Sequence, residues 1–184
     1  MDVSLLYTVF GGDFSGVVTQ PGSDGNDFLL GSRITDDVLI GGVGNDTLVG
    51  RGNRDVYYGG AGNDLLVLGG DGTPEYVRID GGGGRDTPRM DGTGAVWILG
   101  TTGNSSTNPA GNHLVESIET IDLGRGGSAE SSHTLVFSVD DLIDLPQADR
   151  SLVIIGDALD TVQFAGTLSL ERSETRPRAA LDAL

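Results

Sequence analysis

Residues 41–67 read GGVGNDTLV, GRGNRDVYY and GGAGNDLLV, three consecutive units of nine residues that each begin with glycine. Every unit carries an aspartate at its sixth position and an apolar residue at its eighth position. Two chemically different residue types therefore keep the same period. Such a period indicates that one small structural unit is repeated along the chain.

The repeat extends upstream in less regular form. Copies read GSDGNDFLL from Gly22 and GSRITDDVLI from Gly31, so that Asp27 and Leu29 lie one residue out of step. After Val67 the pattern loosens, and the turn half of the unit returns once at residues 81–86, with Pro88 where an apolar residue is expected. We expect the array to end at that copy. The residues that keep the strict period are Asp37, Asp46, Asp55 and Asp64, and the apolar Leu39, Leu48, Tyr57 and Leu66.

Each unit divides into six turn residues and three strand residues. Glycine supplies the positive φ angles of the turn, and Asn or Asp tolerates them. In a three-residue strand the middle side chain points to one face and its neighbours to the other, so one apolar residue per unit faces inward. Two units close a coil of about eighteen residues, and stacked coils form parallel strands. The sequence predicts an all-β fold, a parallel β-roll or right-handed β-solenoid.

The acidic residues are 21 Asp against 6 Glu, in a chain with a formal net charge of −16. Short Asp side chains suit tight turns and hard-cation sites. Stacked turns lie about 4.8 Å apart, and an ion with two oxygens at about 2.4 Å each spans that distance, which is the Ca–O length. Mg²⁺ fits less well because it requires a rigid octahedron at shorter distances. The repeated aspartates therefore predict ladders of Ca²⁺ sites.

The units at residues 41–49 and 59–67 resemble the repeats-in-toxin (RTX) nonapeptide GGxGxDxUx, also called the haemolysin-type calcium-binding repeat. The resemblance implies that Ca²⁺ binds between alternate turns on the same side, with Asp carboxylates and turn carbonyls as ligands. One edge would stack the turns of Asp27, Asp46 and Asp64, and the other edge those of Asp37 and Asp55.

The resemblance also implies a set of metal-binding positions. The turn positions are Gly22, Asp24, Asn26, Gly41, Val43, Asn45, Gly50, Gly59, Ala61 and Asn63, and the carboxylates are Asp27, Asp37, Asp46, Asp55, Asp64 and Asp86. The unit at Gly31 has Arg33, Ile34 and Thr35 in place of glycine-rich turn residues, and Arg51 and Arg54 place positive charge beside Asp55. The site of Asp46 and Asp64 is therefore expected to be stronger than that of Asp37 and Asp55.

The pattern divides the chain into four parts. Residues 1–21 are a lead-in strand or cap, 22–92 the calcium-binding roll, 93–170 a β-rich region that continues or caps the solenoid, and 171–184 an exposed tail. A short helix is expected after Ser138. The third part resembles the region that often follows such repeats in large bacterial adhesins and exoproteins. Its predicted strands are 95–99, 118–123, 134–139, 152–155 and 161–164.

Composition argues against several classes of partner. The eleven Arg are scattered, which disfavours nucleic acid and anionic membranes, and no apolar run is long enough for membrane insertion. The chain has no Cys and no HExxH or GxSxG motif. His113 and His133 are interpreted as surface residues, and Glu116 and Glu119 as a solvated strand edge.

The resemblance implies a secreted bacterial protein, located outside the cell, that binds Ca²⁺ and folds after export by type I secretion machinery. It would stabilise part of a larger exoprotein or adhesin and contact an extracellular surface or polysaccharide. The N-terminus lacks the pattern of a secretory signal, which fits that route.

We expect no enzyme, because only 21 residues precede the repeat. The alternative is a secreted hydrolase, protease or polysaccharide epimerase that carries this module. Two simpler interpretations of the glycine-aspartate repeat are a low-complexity linker and a solenoid that binds no metal. A linker would not keep the inward apolar period, and the repeated aspartates favour a metal-binding solenoid.

Overall fold

The computed structural model describes residues 20–69, 76–99, 115–124, 132–137 and 151–164. All regular elements in these ranges are β-strands, and all their pairings are parallel, which confirms the predicted parallel β-roll. The helix expected after Ser138, the tail at 171–184 and residues 1–19 of the lead-in lie outside the described residues. The strands of the roll are β1 (Gln20–Pro21), β2 (Phe28–Leu30), β3 (Val38–Val43), β4 (Thr47–Val49), β5 (Asp55–Ala61), β6 (Leu65–Leu68), β7 (Tyr76–Gly83) and β8 (Thr87–Met90).

Six further strands follow the roll. They are β9 (Val96–Ile98), β10 (Val115–Glu116), β11 (Thr120–Asp122), β12 (Thr134–Phe137), β13 (Val153–Ile155) and β14 (Thr161–Phe164). Five of them, β9 and β11 to β14, fall within the segments that were predicted to be strands. Within the ranges that the structure describes, no helix is long and apolar enough to cross a membrane.

Successive strands alternate between two sheets. One sheet has the order β1-β3-β5-β7-β10 and the other the order β13-β11-β8-β6-β4-β2, while β14-β12-β9 form a third sheet. Leu39 pairs with Tyr57 and Leu48 with Leu66, so paired residues are eighteen positions apart, which is two nine-residue units. The coil therefore closes as the period predicts. Strands β10 and β11 continue the two sheets beyond the predicted boundary at residue 92.

The core is a column of inward side chains contributed by strands of all three sheets. Leu39, Leu48 and Leu66 are fully buried, and Tyr57 is 1 % exposed. Ile79, Ile121 and Leu135 extend the same cluster into the later coils. Each coil thus buries few large side chains, and stacking of neighbouring coils is what removes them from water.

Pro88 does not end the sheet. It lies in β8, pairs with Leu66, and is buried in the place of the inward apolar residue. A proline lacks the N–H that a central strand needs, and β8 shares one residue pair with β11, Asp122 with Arg89, the shortest register in this sheet. The sheet accommodates Pro88 at the junction with the fewest paired residues and then continues to β13.

Candidate calcium sites

The turns on one edge of the roll are joined by a column of aspartates, here called the first ladder, Asp27, Asp46, Asp64 and Asp86. The backbone N–H of Asp27 donates to Asp46 Oδ1, that of Asp46 to Asp64 Oδ1, and that of Asp64 to Asp86 Oδ1, each at 2.8 Å. Each aspartate lies directly before a strand of the six-stranded sheet. The strand pairing therefore sets the spacing of the carboxylates.

The opposite edge carries a second ladder of Asp37 and Asp55. The N–H of Asp37 donates to Asp55 Oδ1 at 2.9 Å. Here the inward residue of the same strand is Tyr57, whose hydroxyl donates to Asp55 Oδ2 at 3.3 Å and lies 3.4 Å from the carbonyl oxygen of Val67. The second ladder thus has a carboxylate oxygen already engaged by a protein donor.

The first ladder faces inward and leaves oxygens without partners. Asp46, Asp64 and Asp86 are 1 %, 2 % and 0 % exposed, and the Oδ2 atom of each is buried without a hydrogen-bond partner. A buried unpaired carboxylate oxygen carries the desolvation cost of its charge with nothing to offset it. A cation between the turns would supply the missing partner.

Backbone carbonyl oxygens converge on the same places. A methyl group placed on Gly41 would lie 2.4 Å from Asp46 Oδ2 and 2.4 Å from the Gly59 carbonyl oxygen. On Gly59 it would lie 2.3 Å from Asp64 Oδ2 and 2.4 Å from the Gly81 oxygen. Only glycine leaves these oxygen-lined cradles open. Gly22 lies at the corresponding place of the first turn and Gly50 at that of the second ladder, where the obstacle is the Tyr57 hydroxyl at 1.9 Å.

The remaining predicted positions occupy two further columns of the turns. Asp24 bridges to Val43, and Val43 pairs with Ala61. The side-chain oxygen of Asn26 accepts from the N–H of Asn45 at 2.8 Å, and that of Asn45 accepts from the N–H of Asn63 at 2.7 Å. The asparagine side chains therefore connect turn to turn. The role of these positions as metal ligands stays a prediction.

Burial raises the pKa of four of the ladder carboxyls, Asp46, Asp55, Asp64 and Asp86. For Asp46 and Asp64 the pKa is raised mainly by desolvation, opposed by the hydrogen bonds from the backbone of Asp27 and Asp46, with repulsion from the neighbouring carboxylate adding to the rise. Desolvation likewise raises the pKa of Asp55 and of Asp86 to about 7. The metal-free ladders therefore favour protons over unpaired charges.

This shift predicts a pH dependence for metal-stripped protein. The folded chain holds protons on Asp55 and Asp86 that the unfolded chain releases near pH 3.8, so their contribution to stability is complete below that pH and is lost as pH rises to about 7. Without metal we expect the β signal in far-UV circular dichroism to fall from pH 5 to pH 8. The gain in β signal on adding Ca²⁺ should grow over the same interval, because the ligands must lose their protons. Far-UV spectra with and without Ca²⁺ measure both; a metal-free β signal that rises with pH contradicts this expectation.

The structure corrects two interpretations of single residues. His133 is 2 % exposed, and its backbone N–H donates to Asp160 Oδ1 at 2.8 Å. The backbone N–H of each first-ladder aspartate donates to the next carboxylate in the same way. It lies directly before β12, which explains its burial. Glu119 lies before β11, and its Oε2 accepts from the N–H of Asp86 at 2.8 Å, so it belongs to the ladder rather than to a solvated edge. His113 lies outside the described residues.

The residues present fit a hard cation. Within the ranges described above, no group of three or more acidic or His side chains gathers as a metal centre, so each rung supplies two carboxylates and backbone carbonyls must complete the shell. Carboxylate and carbonyl oxygens are the ligands of Ca²⁺. The unpaired buried oxygens and the glycine cradles together define a calcium-binding β-roll.

The comparison with family models gives the same assignment. Residues 34–66 match the RTX calcium-binding nonapeptide repeat, described as four copies. This part of the chain is an RTX repeat array, as its nonapeptides predicted, and RTX nonapeptide repeats bind Ca²⁺. Neither the curated proteins nor the solved structures compared with the chain give a match.

Proposed function

We propose that this chain is a secreted module that folds around Ca²⁺, with the ions held between successive turns of the first ladder. The rungs Asp27–Asp46, Asp46–Asp64 and Asp64–Asp86 would hold them, together with the carbonyl oxygens at the glycine cradles. The single observation that carries the proposal is the set of three buried Oδ2 atoms without partners. A bound ion supplies positive charge to these carboxylates and joins neighbouring coils.

The energies involved are large enough to control folding. Extracellular modules bind Ca²⁺ with dissociation constants of about 10⁻⁴ to 10⁻³ M. Millimolar Ca²⁺ is at most about 10 times these dissociation constants, which stabilises the folded state by up to about 1.4 kcal/mol per site, so three rungs would add up to about 4 kcal/mol. Small domains have a total stability of about 5–15 kcal/mol. Removal of the ions would therefore take away most of the stability of a domain at the low end of that range.

The first ladder is proposed to dominate over the second. The Oδ2 atom of Asp55 accepts from the Tyr57 hydroxyl, and that hydroxyl occupies the cradle at Gly50. The Tyr57 hydroxyl thus already gives Asp55 Oδ2 a hydrogen-bond partner, which is part of what a bound ion would provide. The expected ranking from the sequence rested on the turn residues of the Gly31 unit and on the charges of Arg51 and Arg54, and this contact adds a further physical reason.

Calcium-dependent folding suits a protein made in one compartment and used in another. In a cytosol poor in Ca²⁺, the unpaired carboxylates would disfavour the closed roll and leave the chain suited to passage through a type I export channel. Outside the cell, millimolar Ca²⁺ would close the roll by mass action. RTX repeat proteins are generally secreted bacterial proteins, which supports this location. The matched family is a binding repeat, which supports a stabilising module of an exoprotein or adhesin rather than an enzyme.

A calcium titration of metal-stripped protein followed by far-UV circular dichroism tests the proposal. We expect a disordered spectrum to change to a β spectrum between about 0.1 and 10 mM Ca²⁺, the range around the expected dissociation constants. Mg²⁺ at the same concentrations should give less than a fifth of the change. A spectrum and protease resistance that are the same with and without metal would falsify the proposal.

A further inference from the structure

The hydrogen-bond pattern of the first ladder continues beyond the nonapeptides. At the rung of Asp64 and Asp86, the N–H of Asp64 donates to the Asp86 carboxylate at 2.8 Å, and the N–H of Thr87 donates to the Asp64 carbonyl at 2.8 Å. At the next rung, the N–H of Asp86 donates to Glu119 Oε2 at 2.8 Å, and the N–H of Thr120 donates to the Asp86 carbonyl at 3.2 Å. Glu119 therefore occupies the place of the next aspartate, 33 residues further along the chain.

A glutamate fits here because its turn is shorter. Asp80 pairs with Glu116, which places Ser117 opposite Gly81. Asp86 follows Gly81 by five positions, whereas Glu119 follows Ser117 by only two. The additional methylene of glutamate gives its carboxylate the reach to accept from the N–H of Asp86 despite the shorter turn.

The same oxygen cradle recurs at this rung. A methyl group on Gly81 would lie 2.1 Å from the Ser117 carbonyl oxygen and 2.6 Å from Asp86 Oδ2, as on Gly41 it meets a carbonyl oxygen and a ladder carboxylate. Asp86 is fully buried and its Oδ2 atom has no partner. An unpaired buried carboxylate, a second carboxylate and a backbone carbonyl make an all-oxygen set, which selects a hard divalent cation.

We propose that Asp86, Glu119 and the carbonyl of Ser117 form an additional Ca²⁺ site, which fastens β10 and β11 to the roll. The proposal rests on the calcium-dependent folding proposed above. Strands β11 and β8 share one residue pair, Asp122 with Arg89, and the N–H of Thr120 donates to the Asp86 carbonyl, so few backbone contacts hold this junction. The ion would add to its cohesion and would make the order of the later coils depend on calcium.

The variant Glu119→Gln tests the site in the full-length chain. Glutamine keeps an oxygen that can accept from Asp86 N–H but removes the charge. The matched control is Glu116→Gln, three residues away, which removes the partner of the Arg78 ion pair. Calorimetric titration with CaCl₂ should find one ion fewer in Glu119→Gln and the wild-type number in Glu116→Gln.

Trp97 provides a local readout, because it is the single tryptophan and is 1 % exposed on β9, beyond the nonapeptides. In Glu119→Gln we expect the Ca²⁺ midpoint of the Trp97 emission change to rise at least fivefold, and the midpoint of the far-UV change to move less than twofold. Glu119→Asp keeps the charge but is shorter, so it should show an intermediate midpoint; it replaces Glu119→Gln as the test if the latter does not fold.

The outcomes separate the two proposals. Wild-type protein that neither binds nor folds with Ca²⁺ contradicts the proposed function itself. Wild-type protein that folds with Ca²⁺, alongside Glu119 variants with unchanged ion number and unchanged Trp97 midpoint, overturns only the additional site.

Discussion

The double variant Asp46→Asn, Asp64→Asn is expected to lose most of the calcium-induced ordering. These two residues take part in every rung from Asp27 to Asp86. Asparagine keeps the oxygen that accepts the backbone N–H of the preceding turn, so the turns can still stack. It removes the negative charge that binds the ion, and we expect the Ca²⁺ midpoint in far-UV circular dichroism to rise more than tenfold.

The metal-free state of this double variant distinguishes lost binding from misfolding. Burying neutral amides costs less than burying carboxylates, so at pH 8 the metal-free variant should show at least as much β signal in far-UV circular dichroism as the metal-free wild type. Asp91→Asn is the control, because Asp91 is exposed and accepts from its neighbour Gly92. If the double variant kept the wild-type Ca²⁺ midpoint, the first ladder would not be the site whose calcium binding orders the chain.

The second large effect is expected from Gly60→Ala. Gly60 has a φ of 112°, and an added methyl group would lie 2.0 Å from the carbonyl oxygen of Gly42 in the neighbouring turn. Backbone strain of this kind costs about 1–3 kcal/mol, and the clash with backbone atoms adds to it. We expect a loss of more than about 3 kcal/mol in the free energy of unfolding with saturating Ca²⁺, since positive φ and overpacking act together.

Gly83→Ala is the matched control for this variant. Gly83 belongs to the same stack of turns and pairs with Ala61, but an added methyl group meets nothing within 4 Å. Its free energy of unfolding by urea should stay within about 0.5 kcal/mol of the wild type, as for other exposed substitutions. Equal losses in the two variants would show that stacking of the turns does not limit stability.

The regular part of this fold can be predicted from the sequence because one nine-residue period sets the positions of both the aspartates and the inward apolar residues. Asp46 and Asp64 are eighteen residues apart and lie on one rung, and Leu48 and Leu66 meet in the core for the same reason. The parallel roll, its inward residues and the grouping of aspartates by edge could all be predicted in this way. The assignment of these aspartates as calcium ligands remains a prediction.

Other features could not be read from the sequence because they depend on insertions or on side-chain reach. The step from Asp64 to Asp86 is 22 residues and the step to Glu119 is 33, so the period gives no register for them. The Tyr57 hydroxyl blocks the cradle at Gly50, a contact that only coordinates reveal. His133 has no motif at all; its burial follows from its place before β12.

The hydrogen bonds of the first ladder all run in one direction. The carboxylate of each turn accepts an N–H from the turn that precedes it in the chain, as Asp64 does from Asp46. The carboxylate of a newly made turn therefore has no hydrogen-bond donor, and its N–H no acceptor, until the neighbouring turns are in place. The asparagine side chains run the other way, since Asn26 and Asn45 accept from the turns that follow them. Shortening the stack from its later end therefore strips carboxylate acceptors from the turns that remain, whereas shortening it from its earlier end strips amide acceptors.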